Sequence, residues 1–169
     1  MVKKSNKIVL HWTAGTYHPN QIDYRHYHFL ITGDGLVVNG DFEPEDNLDC
    51  TKNGTYAEGA LGCNTGAIHV AFCGMYGFKE SVGCGQFPLK QKQCESGFKL
   101  CAELCKKYDI QITDKTVFTH YEFECRKGRK GRKVDITCLP YTKLAPDEVG
   151  AYIRKEIIHY YMLSTSNNN

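Results

Sequence analysis

Nowhere in this chain do two cysteines stand in a Cys-x-x-Cys pair, although its 169 residues include nine. That absence removes the usual spacing of a structural zinc site. An odd cysteine count without a secretory leader also argues against a full disulfide framework. The start, Met1 to Lys7, has the positive end of a leader, but the apolar stretch that follows is short and already carries His11. No separate hydrophobic region exists, so a signal peptide is not expected. No apolar run approaches the length of a membrane span. Internal repeats and interdomain linkers are missing too. An excess of one charge sign is also lacking: 21 Lys and Arg against 19 Asp and Glu leave a net +2. What remains is one globular domain, long enough for a substantial single core.

The thiols that are present read mainly as small buried hydrophobes, since unpaired cysteine is among the most buried residue types. Cys94, Phe98, Cys101, Cys105 and Tyr108 recur in steps of four, three, four and three, one helical stripe facing a core. A local bridge such as Cys125 to Cys138 stays open. Lys7 to Trp12 reads as a buried strand ending at His11, and Tyr17 to Arg25 as a connector with room for little more than a turn. Tyr27 to Thr32 is a second strand, with Gly33-Asp34-Gly35 turning into Leu36 to Val38. Asp41 to Asn64 is a long polar loop, of a kind that tends to line binding sites. Ala67 to Cys73 forms a strand closed by Gly74, and Thr116 to His120 a strand that again ends on a histidine. Pro146 suits the first position of a last helix with Val149, Ile153, Ile157 and Tyr160 or Tyr161 inward. Ser164 to Asn169 is expected as a disordered polar tail beyond a domain spanning 1–163. Strands interleaved with helices predict an α/β sheet covered by helices, with polar groups at strand ends on the sheet's rim.

Several segments, in order, carry a family resemblance. Ile8-Val9-Leu10-His11-Trp12-Thr13-Ala14-Gly15 resembles the opening strand of zinc-dependent N-acetylmuramoyl-L-alanine amidases, a superfamily that includes amidase-type phage lysozymes and peptidoglycan recognition proteins. Tyr27 to Ile31 with Gly33-Asp34-Gly35 resembles the next strand and hairpin, and Asn64 to Phe72 the central strand. Thr119-His120 and Lys133-Val134-Asp135 resemble the closing segment, so the likeness spans about Ile8 to Asp135. The resemblance implies a single α/β domain with a central mixed β-sheet flanked by α-helices. It also implies Zn2+ on His11, His120 and Asp135, with Tyr27 and Lys133 as polar groups beside the metal. Three protein ligands are the count of a catalytic zinc with one position open for water. Such an ion lowers the pKa of bound water to roughly 7. Amide hydrolysis builds negative charge on the carbonyl oxygen, which an ammonium and a phenol can stabilise. The implied activity is hydrolysis of the bond between the lactyl group of N-acetylmuramic acid and L-alanine. A chain without a leader then looks like a phage or prophage endolysin, a monomer held in the host bacterial cytoplasm until a pore protein releases it to the cell wall.

Departures from the family pattern bear on that implication. The central strand, Val70-Ala71-Phe72-Cys73, lacks the glutamate that serves some relatives as general base, which leaves the base open. Tyr56 stands where relatives often have a histidine, and Asp135 replaces a cysteine common in phage and animal members. His18, His26, His28, His69 and His159 are assigned no metal. His28 and His26 should face the side opposite Tyr27, with His28 packing or standing behind the site. His69 reads as a buried, hydrogen-bonded histidine before one that approaches the site from the central strand. Arg126 to Lys133 is a basic run. Most such runs are solvated loops, but its place between two presumed ligands suits attraction of an anionic cell-wall polymer, weakening with salt. Nucleic acid is not the expected partner, because no aromatic interleaving or known binding fold accompanies the charges. Two rival readings are a non-catalytic peptidoglycan receptor on the same fold and a regulatory module acting through the basic loop.

Overall fold

Alternation along the central strands sorts their side chains onto two unlike faces, and that sorting organises the whole molecule. The computed structural model describes residues 3–166. Its strands are β1 (Lys7–Trp12), β2 (Phe29–Ile31), β3 (Val37–Asn39), β4 (Ala67–Phe72) and β5 (Val117–Thr119). They form one sheet in the order β3-β2-β4-β1-β5, with β2 and β3 antiparallel and all other pairs parallel. The sheet is mixed and flanked by helices, as expected. Its helices are α1 (Gln21–His26), α2 (Gln91–Tyr108), α3 (His120–Arg126) and α4 (Pro146–Ser166). None is long and apolar enough to cross a membrane.

One face is the main core. Ile8, Leu10 and Trp12 of β1 and Ile68, Val70 and Phe72 of β4 pack with the α2 stripe and with Val149, Ile153 and Ile157 of α4. Cys94, Cys101 and Cys105 are all buried there, as their spacing predicts. Gly97 lets α2 sit close to the sheet: an added Cβ would lie 2.3 Å from Phe72 Cε1. The alternate residues face the other way: Val9, Ala67 and His69 lie under the loop from Asp41 to Asn64, and His11 and Ala71 lie beside Tyr27. That loop contains a 3-10 turn at Pro44–Leu48.

Three expectations need correction, and one open alternative is closed. Tyr17 to Arg25 is not merely a turn, because Asn20 and Asp23 cap each other and start α1. The Asn20 side chain accepts from the Ile22 and Asp23 amides at 2.8 and 3.0 Å, and Asp23 accepts from the Asn20 amide at 2.9 Å. His120 does not end a strand; Thr119 and Glu122 form a second capping box that makes His120 the first residue of α3. Cys125 and Cys138 are both free, and Cys138 Sγ lies 3.6 Å from Cys84 Sγ instead. Ser164 to Ser166 belong to α4 rather than to a tail. The Lys106 ammonium donates to Ser164 Oγ and Thr165 Oγ1, and Ser164 donates back to the Tyr160 carbonyl. Residues 167–169 of the expected tail lie outside the described residues.

Candidate metal centre

Three loops and strand ends meet at the rim of the polar face. His11 comes from β1, His120 from the start of α3, and Asp135 from the segment after it. The Asp135 backbone carbonyl accepts from the Tyr121 amide at 2.7 Å, which ties that segment to the first turn of α3. Asp135 Oδ2 lies 3.0 Å from His11 Nδ1 and 3.3 Å from His120 Nδ1. One ligating atom from each residue falls within 4.8 Å of the others, and all three residues are buried. Two imidazole nitrogens and a carboxylate oxygen are a donor set that suits tetrahedral zinc.

The electrostatics favour a cation here. Burial lowers the His11 pKa to about 4, against the pull of the neighbouring Asp135 carboxylate, so the ring is neutral and keeps a lone pair. Burial alone would raise the Asp135 carboxyl, but the two imidazoles beside it, His11 and His120, outweigh burial and hold the group below the ordinary carboxylate range, hence ionised. A neutral imidazole and an ionised carboxylate are the protonation states that metal ligation requires.

The Glu122 carboxylate braces this corner. It accepts from the Thr119 amide at 2.9 Å and from both Arg154 terminal nitrogens at 2.9 and 3.0 Å. Gly150 of α4 approaches so near that a Cβ there would meet Glu122 Oε1 at 2.1 Å.

His120 and Asp135 open onto a cleft of about 540 Å³ whose walls include Trp12, Tyr27, Glu58 and Lys133. The Tyr27 ring stands 5.0 Å from that of His11, centre to centre. The residues expected from the sequence are therefore brought together. Several were missed. Glu58 and His26 line the same cleft. His69 Nδ1 lies 3.0 Å from His11 Nε2, so this histidine touches an expected ligand as well as being buried. Its strand parity, shared with Ala67 and Ala71, was the available signal. His28 stacks flat on His69, with ring centres 5.7 Å apart, and so packs behind the site without lining the cleft. The basic run is less free than its sequence suggests. Arg129 forms a two-pronged pair with buried Glu124 at 2.7 and 3.0 Å, Arg132 approaches the same carboxylate, and Lys130 pairs with Asp147 at 2.9 Å.

A family model described as N-acetylmuramoyl-L-alanine amidase matches residues 2–137, which include every residue of this centre. The chain belongs to that amidase family. No curated protein matches the sequence. Among solved structures, the amidase-family fold recurs in the N-acetylmuramoyl-L-alanine amidase LysC from Clostridium intestinale URNW. That protein is 19% identical, with a TM-score of 0.52 over 89% of this chain and 85% of LysC. Bumblebee PGRP-SA is 15% identical, with a TM-score of 0.50 over 86% of this chain and 81% of that one. At such identities the likeness concerns the fold, which this amidase-family chain shares with both.

Proposed function

We propose that the protein is a zinc-dependent amidase that cleaves the bond between the N-acetylmuramic acid lactyl group and L-alanine in peptidoglycan. The convergence of His11, His120 and Asp135 at the base of an open cleft carries this reading. When bound by these three side chains, zinc supplies a Lewis acid and lowers the pKa of coordinated water to roughly 7. The chain's own groups handle the charge that develops on the amide oxygen. Burial, reinforced by the Asp135 charge, raises the Tyr27 pKa, so its hydroxyl stays protonated and able to donate. Lys133, two residues before Asp135, lines the same cleft and can bring an ammonium to it. Removing one such donor costs about 3 kcal/mol, so Lys133→Met is expected to lower kcat about 100-fold in hydrolysis of a soluble muropeptide, with zinc content unchanged.

A non-catalytic receptor on this fold has no need of a complete ligand set, and this chain has one. We assign the protein to the endolysin type: a monomer that acts on the cell wall after release from the host cytoplasm by a pore protein. The deciding experiment digests purified peptidoglycan and identifies products by mass spectrometry. Fragments with a free lactyl carboxyl and a new L-alanine amine are expected, lost on chelation and restored by zinc. Binding of the wall without those fragments would overturn the assignment in favour of a receptor.

A further inference from the structure

The polar face contains a hydrogen-bonded chain whose direction is set at its far end by a backbone amide. Ala60 N–H, which can only donate, lies 2.9 Å from Asn64 Oδ1. That contact fixes which end of the Asn64 amide is oxygen. The same oxygen lies 3.0 Å from His69 Nε2, so the His69 nitrogen there must carry the proton. In a neutral ring the other nitrogen, Nδ1, then accepts, and it lies 3.0 Å from His11 Nε2. His11 must therefore donate from Nε2, which directs its Nδ1 lone pair toward Asp135 Oδ2, 3.0 Å away. Two electron-pair donors at that separation call for a cation between them.

We infer that Asn64 and His69 form a relay that holds His11 in its Nε2–H form and so presents Nδ1 to the ion. His69 is a positioning residue: it touches His11 and contributes no ligand of its own. The inference rests on the zinc reading for the identity of the ion, but the proton assignment stands on the hydrogen bonds alone.

The surroundings are shaped for this imidazole. Gly59 lies against its ring, and a Cβ there would fall 2.6 Å from both Cγ and Nδ1 of His69. A second histidine locks the backbone. The His69 amide donates to His28 Nδ1 at 2.8 Å, which leaves His28 Nε2–H to donate to Asn47 Oδ1 at 3.0 Å. The Asn47 oxygen is oriented in turn by the Ala57 amide at 2.8 Å. Two stacked histidines thus each end on an asparagine oxygen pinned by a loop amide, one a step removed from the cleft and one in contact with a ligand. Partners of this outer kind fix the form and orientation of metal-bound imidazoles, and their loss typically costs 10–100-fold in affinity.

The test combines zinc affinity, by competition with a chromophoric chelator, with long-range 15N spectra of the imidazoles in wild type, His69→Phe and His69→Gln. In the zinc-loaded wild type, both His69 and His11 are expected to carry their protons at Nε2. His69→Phe keeps a ring of similar size but cannot accept, and should bind zinc about 10–100-fold more weakly. His69→Gln offers an amide oxygen to His11 and should recover part of that loss. A wild-type spectrum with His69 protonated at Nδ1, or unchanged zinc affinity in His69→Phe, would overturn the relay. Equal losses in the Phe and Gln variants would also overturn it, as packing alone would then account for them. Should His69→Phe fail to fold, the wild-type spectrum decides by itself. A wild type that takes up no zinc yet keeps His69 protonated at Nε2 would end the metal reading and support the relay.

Discussion

On one side of the sheet, Ile8, Leu10, Ile68, Val70 and Phe72 form one apolar cluster with Phe98 and Cys101 of α2. One position along the same strands, His11 and His69 are equally buried, both at 0% exposure, yet each of their ring nitrogens has a polar neighbour at 3.0 Å. Burial is thus the same on both faces, and what differs is the rule that makes it tolerable. The helix-covered face needs volume filled, and swaps of similar shape there cost little. The loop-covered face needs every donor matched to an acceptor, so loss of one partner strands the next.

This contrast can be broken or sharpened by experiment. The largest effect is expected on the polar face. His120→Ala removes one of three converging groups, and both zinc uptake and wall lysis should vanish while the far-UV circular dichroism stays unchanged. Retained lysis would dissolve the distinction between the faces. Phe98→Ala tests the opposite side: it should destabilise the fold by about 3–5 kcal/mol in urea titrations, with zinc affinity of the folded protein unaltered.

A pH effect comes next. Burial holds His28 at about 4, below the ordinary 6.5, so the unfolded chain takes up its proton first as pH falls. The share of stability that His28 contributes near pH 7, about 3 kcal/mol, should be lost between about 6.5 and 4, alongside that of His11, and His28→Gln should flatten the slope in part. A metal-free protein equally stable at pH 7 and pH 4.5 would contradict this. The smallest effect is expected at the surface. Lys130 and Asp147 are both largely exposed, and Lys130→Ala should change stability by less than about 1 kcal/mol.

The helix-covered face was legible in the sequence because it follows one local rule. Cys94, Phe98, Cys101, Cys105 and Tyr108 announce α2 through their spacing, and Val149, Ile153 and Ile157 do the same for α4. The residues of the centre were found through family likeness, since His11 and Asp135 are 124 positions apart and no local spacing relates them. α1 was missed although Asn20 and Asp23 carried a capping signal, and the pair Thr119 and Glu122 held the same signal for the helix at His120. The partnership of His69 with Asn64 had a half-signal in the parity of β4. Its other half depends on how the loop from Asp41 to Asn64 folds back, which tertiary contacts decide.

The brace at Arg154 has a practical consequence for anyone trimming this chain. The stretch shared with the amidase family stops at residue 137, whereas Arg154, which pairs with the Glu122 carboxylate, and Gly150, which leaves room for it, come later. A fragment cut at the family boundary would keep His11, His120 and Asp135 and lose the Arg154 side chain that braces Glu122 beside His120. The C-terminal helix is thereby a structural tenant of the active corner, and a minimal version of this protein has to include it.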